Sequence, residues 1–276
     1  FFLAVGATLG ALLSVYPAHP RLLIAHVTAN VGGFVGLAAA GSLTILFPSI
    51  WRTKGVNKRM RSSFTLLAVG VVVTLLGTIV NHPEAGLIVY CLGWILSLEG
   101  WVGNVLTVAK DPRGRINYPS VSILAAAFWL VGALTYYTVQ HFFSSEPAIP
   151  TLALVIGFAA QLLFGVMSYL LPTTMGGGPA ATRAGLRELN RAGLLRATFI
   201  NGGVAIWMGT SSSWAMILAA LLCLGSLAVY PIFIVRAVKA QKAVLQKKAE
   251  GPAPETTVPW EQVALGLVIL APLLLL

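Results

Sequence analysis

The chain has 276 residues, 57% of them hydrophobic and 9% charged, with a formal net charge of +10. So large an apolar fraction excludes an ordinary soluble domain. The apolar residues come in blocks of about twenty, the length of a membrane-crossing helix, without the strict alternation of a membrane barrel; an all-α polytopic transmembrane helix bundle, one domain over 1–276, is expected.

In chain order, nine spans are predicted: 1–16, 22–49, 63–81, 85–109, 119–142, 150–171, 195–210, 214–236 and a stretch from 260, the first and last truncated. Pro17, Pro20, Pro112, Pro119, Pro147, Pro150 and Pro172 punctuate their ends, where a missing N–H does little harm. The chain opens on Phe1 and stops at Leu276, each inside an apolar run. A fragment of a longer protein is therefore expected, with an extracellular domain after residue 276.

Seventeen of the eighteen Lys and Arg residues fall in alternate loops. They are Arg52, Lys54, Lys58, Arg59 and Arg61; Lys110, Arg113 and Arg115; Arg183, Arg187, Arg191 and Arg196; Arg236, Lys239, Lys242, Lys247 and Lys248. By the positive-inside rule these loops are cytoplasmic. The N-terminal side then faces the cytoplasm and the last helix points out of a cell membrane. Insertion topology accounts for the cations, and no nucleic-acid partner is expected.

The segment MGGGPAATR (175–183) lacks the Lys-Ser/Thr of a phosphate-binding loop, and a short interfacial helix over 182–192 is predicted. Residues 237–250 read as a basic amphipathic extension of the eighth span, resting with that helix on anionic lipid headgroups. GPAPETTVP (251–259) reads as a flexible linker. Cys91 and Cys223 lie in apolar segments and read as small buried hydrophobes. Glycines in GGFVGLAAAGS (32–42) and NGG (201–203) read as close helix–helix contacts.

All four histidines fall on the side opposite the cations. His19 sits in the loop PAHPR, His26 about one turn into the second span, His82 at the end of the third and His141 at the end of the fifth. Imidazole ligates haem iron and copper, and bundles build such sites from facing helices. His26 lies deepest, with Asn30 four residues on and on the same face; a histidine there needs a polar partner or a ligand. Arg21, the lone outer cation, could clamp a haem propionate or snorkel to the surface. Glu99 lies roughly midway between Ala85 and Lys110. It is expected to be protonated, or paired with Gln161 or Asn201, with proton relay as its functional reading. Met208 and Met216 flank the turn between the seventh and eighth spans, where thioether and imidazole would suit Cu(I).

Two stretches carry a resemblance: HVTANVGGFVGLAAAGSLTILFPSIWRTKG (26–55) and LLFGVMSYLLPTTMGGGPAATRAG (162–185). The chain resembles the N-terminal membrane region of actinobacterial copper-containing nitrite reductases and multicopper oxidases fused to several helices. More distantly it is similar to haem-copper oxidase-type membrane proteins, in which an outer histidine on an early helix ligates haem. The resemblance implies His26 as a haem ligand. HPE (82–84) resembles a copper-site motif of that group, but the neighbouring His-His pair is absent, and a complete oxygen-reducing centre is not expected.

The resulting expectation is the membrane module of a respiratory redox protein, an oxidoreductase component binding b-type haem near the outer surface. His26 and one of His141 or His82 would be the ligands, with Arg21 beside them. Electrons would pass from quinol or a cytochrome to a fused or associated extracellular copper domain, in an oligomer. The alternatives are a copper-handling membrane protein and a structural anchor or accessory subunit without cofactor.

Overall fold

The computed structural model describes residues 1–17, 19–54, 59–144 and 147–276; Lys58 of the first basic loop lies outside them. The described residues form helices and no strand. In chain order these are α1 (Phe2–Val15), α2 (Pro20–Trp51), α3 (Arg59–Val80), α4 (Glu84–Ala109), α5 (Tyr118–Phe143) and α6 (Ala153–Met175). There follow α7 (Gly178–Leu189), α8 (Gly193–Gly209), α9 (Ser213–Ala228), α10 (Tyr230–Leu245) and α11 (Trp260–Leu270). Both α2 and α6 contain a widened π-helical stretch, Thr28–Gly36 in one and Ala153–Ala160 in the other.

Among the described residues, six helical stretches are long and apolar enough to cross a membrane: α2, α3, α4, α5, α6 and the continuous pair α9–α10. Their surfaces stay apolar where exposed, as at Ile45, Ile79 and Leu221, each more than 60% accessible. A surface of that kind suits hydrocarbon, in which only a backbone paired within its own helix is tolerated. The chain is a multi-pass helical membrane protein. The difference from nine predicted spans lies in α1, α8 and α11, which have 14, 17 and 11 residues. At ~1.5 Å per residue these reach only about 17–26 Å, against a hydrocarbon core of about 30 Å.

The chain divides into two compact units. The first comprises 1–49, 53–106 and 131–150; the second comprises 50–52, 107–130 and 151–276. In the first, α3 and α4 run antiparallel with their backbones close together. Gly70 packs on the Tyr90 backbone and Gly86 on the Thr74 backbone. Ser63 Oγ donates to Gly93 O at 2.7 Å and lies 2.5 Å from Ser97 Oγ, both serines being buried. The Tyr90 hydroxyl donates to Gly32 O, 3.0 Å away, and tethers the π stretch of α2 to α4. Cys91 is buried and reduced, its sulfur 3.3 Å from Thr135 Oγ1.

In the second unit α8 and α9 form a helical hairpin, with Gly203 seated on Ala219 O and Cys223. Tyr118, Ala197, Ile200, Val204, Cys223 and Leu227 make its core. Pro231, in the first turn of α10, marks the junction within the α9–α10 pair, as expected where an N–H is missing. The short helix predicted over 182–192 begins at Gly178, four residues earlier, and ends at Leu189. Gly177, at φ +88°, supplies its left-handed cap. It packs along α10, where Gly185 receives Gln241, and the Gln241 amide donates to Pro172 O (2.9 Å) and Gly176 O (2.8 Å) at the end of α6.

Arg196 is buried without a carboxylate partner among the described residues. Its guanidinium donates to Leu189 O (2.5 Å) and Arg191 O (3.2 Å), the electronegative end of α7. The Tyr118 and Phe233 rings flank it, with centroids 4.0 and 4.5 Å away.

Residues 251–259, read from sequence as a flexible linker, instead form a strap. Arg183 Nε donates to Pro252 O at 2.9 Å, Asn190 Nδ2 to the Glu255 carboxylate at 3.2 Å, and Leu194 N to Gln262 Oε1 at 3.1 Å. A guanidinium on a backbone carbonyl and an asparagine amide on a carboxylate, neither of which composition reveals, hold the strap down.

Gly70→Ala is expected to lower the melting temperature in detergent. A Cβ there would lie 2.5 Å from Tyr90 N, and overpacking of this kind costs about 1–3 kcal/mol. Gly103→Ala in α4, where nothing lies within 4 Å, should be neutral or stabilising by up to about 1 kcal/mol.

Candidate functional site

All four histidines belong to the first unit. His26 lies where α2 passes from α-helical to π-helical geometry, a type of junction common at functional sites. Its Nδ1 lies 2.9 Å from Gly6 O on α1. A carbonyl only accepts, so Nδ1 is the donor in this contact, which in a neutral ring leaves the lone pair on Nε2. Asn30 Nδ2 donates to His26 O at 3.1 Å and lies 3.3 Å from Nδ1 and 3.5 Å from Nε2. The polar partner that the depth of His26 demanded is therefore double, Asn30 on the same face and a backbone carbonyl of the neighbouring helix.

The fit of this pair against α1 depends on glycine. A Cβ on Gly10 would come 2.9 Å from His26 Cε1, and one on Gly6 would collide with the Asn30 amide. Each glycine leaves room for one polar side chain of α2.

The other histidines stand apart from this arrangement. His82 is 80% exposed and sits 3.7 Å from Glu84. The His141 ring meets the Tyr137 ring edge-on at 4.6 Å, and its Nδ1 is 3.2 Å from Tyr137 O. His19 and Arg21 line a cavity of about 400 Å³ whose other walls are Val5, Leu9, Leu22, Ala25, Leu75, Thr78 and Ile79. This is a mostly apolar slot between α1, α2 and α3, with His19, Arg21 and Thr78 as its polar side chains. Among the described residues no three His, Cys, Asp or Glu side chains gather as a metal-binding group.

Glu99 differs from its expected environment. It forms an ion pair with Arg59, both side chains being 55% exposed. Arg59 opens α3, so Glu99 lies level with the start of the preceding helix, and α4 continues ten residues beyond it. Its expected partners are occupied differently or not at all. Asn201 Oδ1 accepts from Trp129 Nε1 at 2.8 Å, and the buried Gln161 amide has no partner among the described residues. Met208 and Met216, the sulfur pair of the copper reading, belong to the second unit, whereas the histidines belong to the first.

The cavity and the π junction were missed in the sequence, although TANVGG (28–33), rich in small residues directly after His26, is the signal that could have marked the junction.

Gly10→Val should lower the melting temperature by displacing the His26 ring, at a cost of about 1–3 kcal/mol. Ala11→Val, at an exposed position of α1, should leave it within about 0.5 kcal/mol of the parent.

No protein-family profile, curated protein or solved structure matches this chain.

Proposed function

We propose that the chain is the membrane module of a respiratory redox protein. It takes electrons from membrane quinol, or from a cytochrome, and passes them to an extracellular copper domain. The state of His26 carries this reading. A histidine that ligates a metal ordinarily donates its second ring N–H to a carbonyl or carboxylate, which fixes the tautomer and directs the other nitrogen to the metal. His26 has that pattern, with Nδ1–H on Gly6 O.

An imidazole with its Nε2 lone pair free is a donor of the kind a b-type haem takes, and such a group would supply one-electron transfer when bound. His26 Nε2 would hold it, with His141 or His82 as the second ligand and Arg21 as a cation for propionate. The chain's own residues then have distinct tasks. Gly6 O fixes the ring, and Gly10 leaves it space. The apolar slot beside Ala25 suits a quinol ring, and His19 on its wall could take the proton of a quinol hydroxyl.

Nine crossings with a cytoplasmic basic side belong to the same proposal. Its support is the α8–α9 hairpin, which returns the chain so that α7 and α10 meet, with Arg236 Nε 2.8 Å from Glu188 Oε2.

A second reading is favoured by the glycine cradle itself: His26 acts as a helix clamp in an anchor or accessory subunit without cofactor. Visible spectroscopy of the purified protein separates the two. The redox reading expects a b-type band in the reduced-minus-oxidised difference spectrum, abolished by His26→Ala. Absence of any such band, together with no metal by elemental analysis, would refute it and leave the clamp.

A further inference from the structure

The second unit holds a cavity of about 210 Å³ beneath the 251–259 strap, and its wall carries three guanidinium groups, from Arg52, Arg183 and Arg187. Tyr169, Asn117 and Asn190 add polar atoms. Glu255 is the single carboxylate on the wall among the described residues. The nearby acids are engaged elsewhere, Asp111 by Arg113 and Glu188 by both Arg191 and Arg236. None of the three arginines has a carboxylate within 4 Å among the described residues.

Two of them are held in place by backbone. Arg52 Nη2 donates to Gly114 O at 3.1 Å and Arg183 Nε to Pro252 O at 2.9 Å, which leaves their remaining N–H groups for another acceptor. Arg187 makes no hydrogen bond or ion pair with any described residue. Partial burial, followed by the neighbouring Arg115, pushes the Arg52 guanidinium below its ordinary pKa.

We infer that this cavity binds a phosphate group. Guanidinium forks match phosphate oxygens in a bidentate fashion, and three of them exceed what one carboxylate can neutralise. The volume lies below the roughly 300–1,000 Å³ of sites for drug-sized ligands, so a phosphate head enters and the rest of its carrier stays outside. Two carriers present the same chemistry: an anionic phospholipid, for which basic pockets between membrane helices are a known receptor, and free phosphate.

The test uses the full chain in neutral detergent. Melting temperature is followed during titration with inorganic phosphate, with short-chain phosphatidic acid, and with phosphatidylcholine of the same chain length as control. Saturable stabilisation by phosphate identifies the free anion as sufficient. Stabilisation by phosphatidic acid alone identifies the lipid headgroup, and either result supports the site. Arg187→Gln, at an exposed side chain without partners, should weaken the effect about tenfold while leaving the ligand-free melting temperature unchanged. Arg52→Gln provides an independent second variant. Stabilisation by neither anion, equal stabilisation by phosphatidylcholine, or full stabilisation of both variants would overturn the assignment.

Discussion

Close approach of helix backbones is the constraint on which the remaining structure depends. Lipid removes the hydrophobic drive that holds soluble helices together, so association rests on van der Waals contact and on polar groups that meet across the interface. In this chain the approach is made at glycines: Gly70 and Gly86 between α3 and α4, Gly203 between α8 and α9, Gly6 and Gly10 between α1 and α2. Where backbones come that near, short polar side chains reach carbonyls on the neighbouring helix. Ser63 on Gly93 O and His26 on Gly6 O are two cases of one arrangement.

The second unit solves a different problem, the containment of charge near the membrane. Arg196 is withdrawn from solvent and compensated by carbonyls and rings instead of by an acid. Glu188 meets two arginines, and the strap adds carbonyl oxygens to a region otherwise rich in donors. The unit thereby spends its few acids on local pairs, and a surplus of guanidinium groups stays around one cavity.

Much of this was legible in the sequence, for reasons that follow from periodicity and length. Apolar blocks of about twenty residues specify helices regardless of partners. The placement of Asn30 on the face of His26, the burial of both cysteines, and the glycine contacts at 32–33 and 203 follow from spacing alone. What spacing cannot show is the partner on another helix. Nothing near Glu99 announces Arg59, forty positions earlier, because their meeting depends on how far α4 overhangs the start of α3. Nor does the composition of 251–259 reveal a strap, since its anchors are donors from Arg183 and Asn190. The three-arginine cavity was hidden for a related reason: its walls come from five separate segments, and its arginines lie in two loops whose basic character had what looked like one topological cause.

The glycine pair on α1 has a consequence for alignment. Gly6 and Gly10 stand one helical turn apart, and α2 presents His26 and Asn30 at the same interval. A slip of α1 by one residue would bring Val5 and Leu9, or Ala7 and Ala11, to the two polar side chains. The ring and the amide would then meet side chains in place of open space. The imidazole thus works as a detent, admitting one axial setting of α1 and rejecting its neighbours, so that a short helix with an otherwise greasy, featureless surface acquires a defined position along its partner.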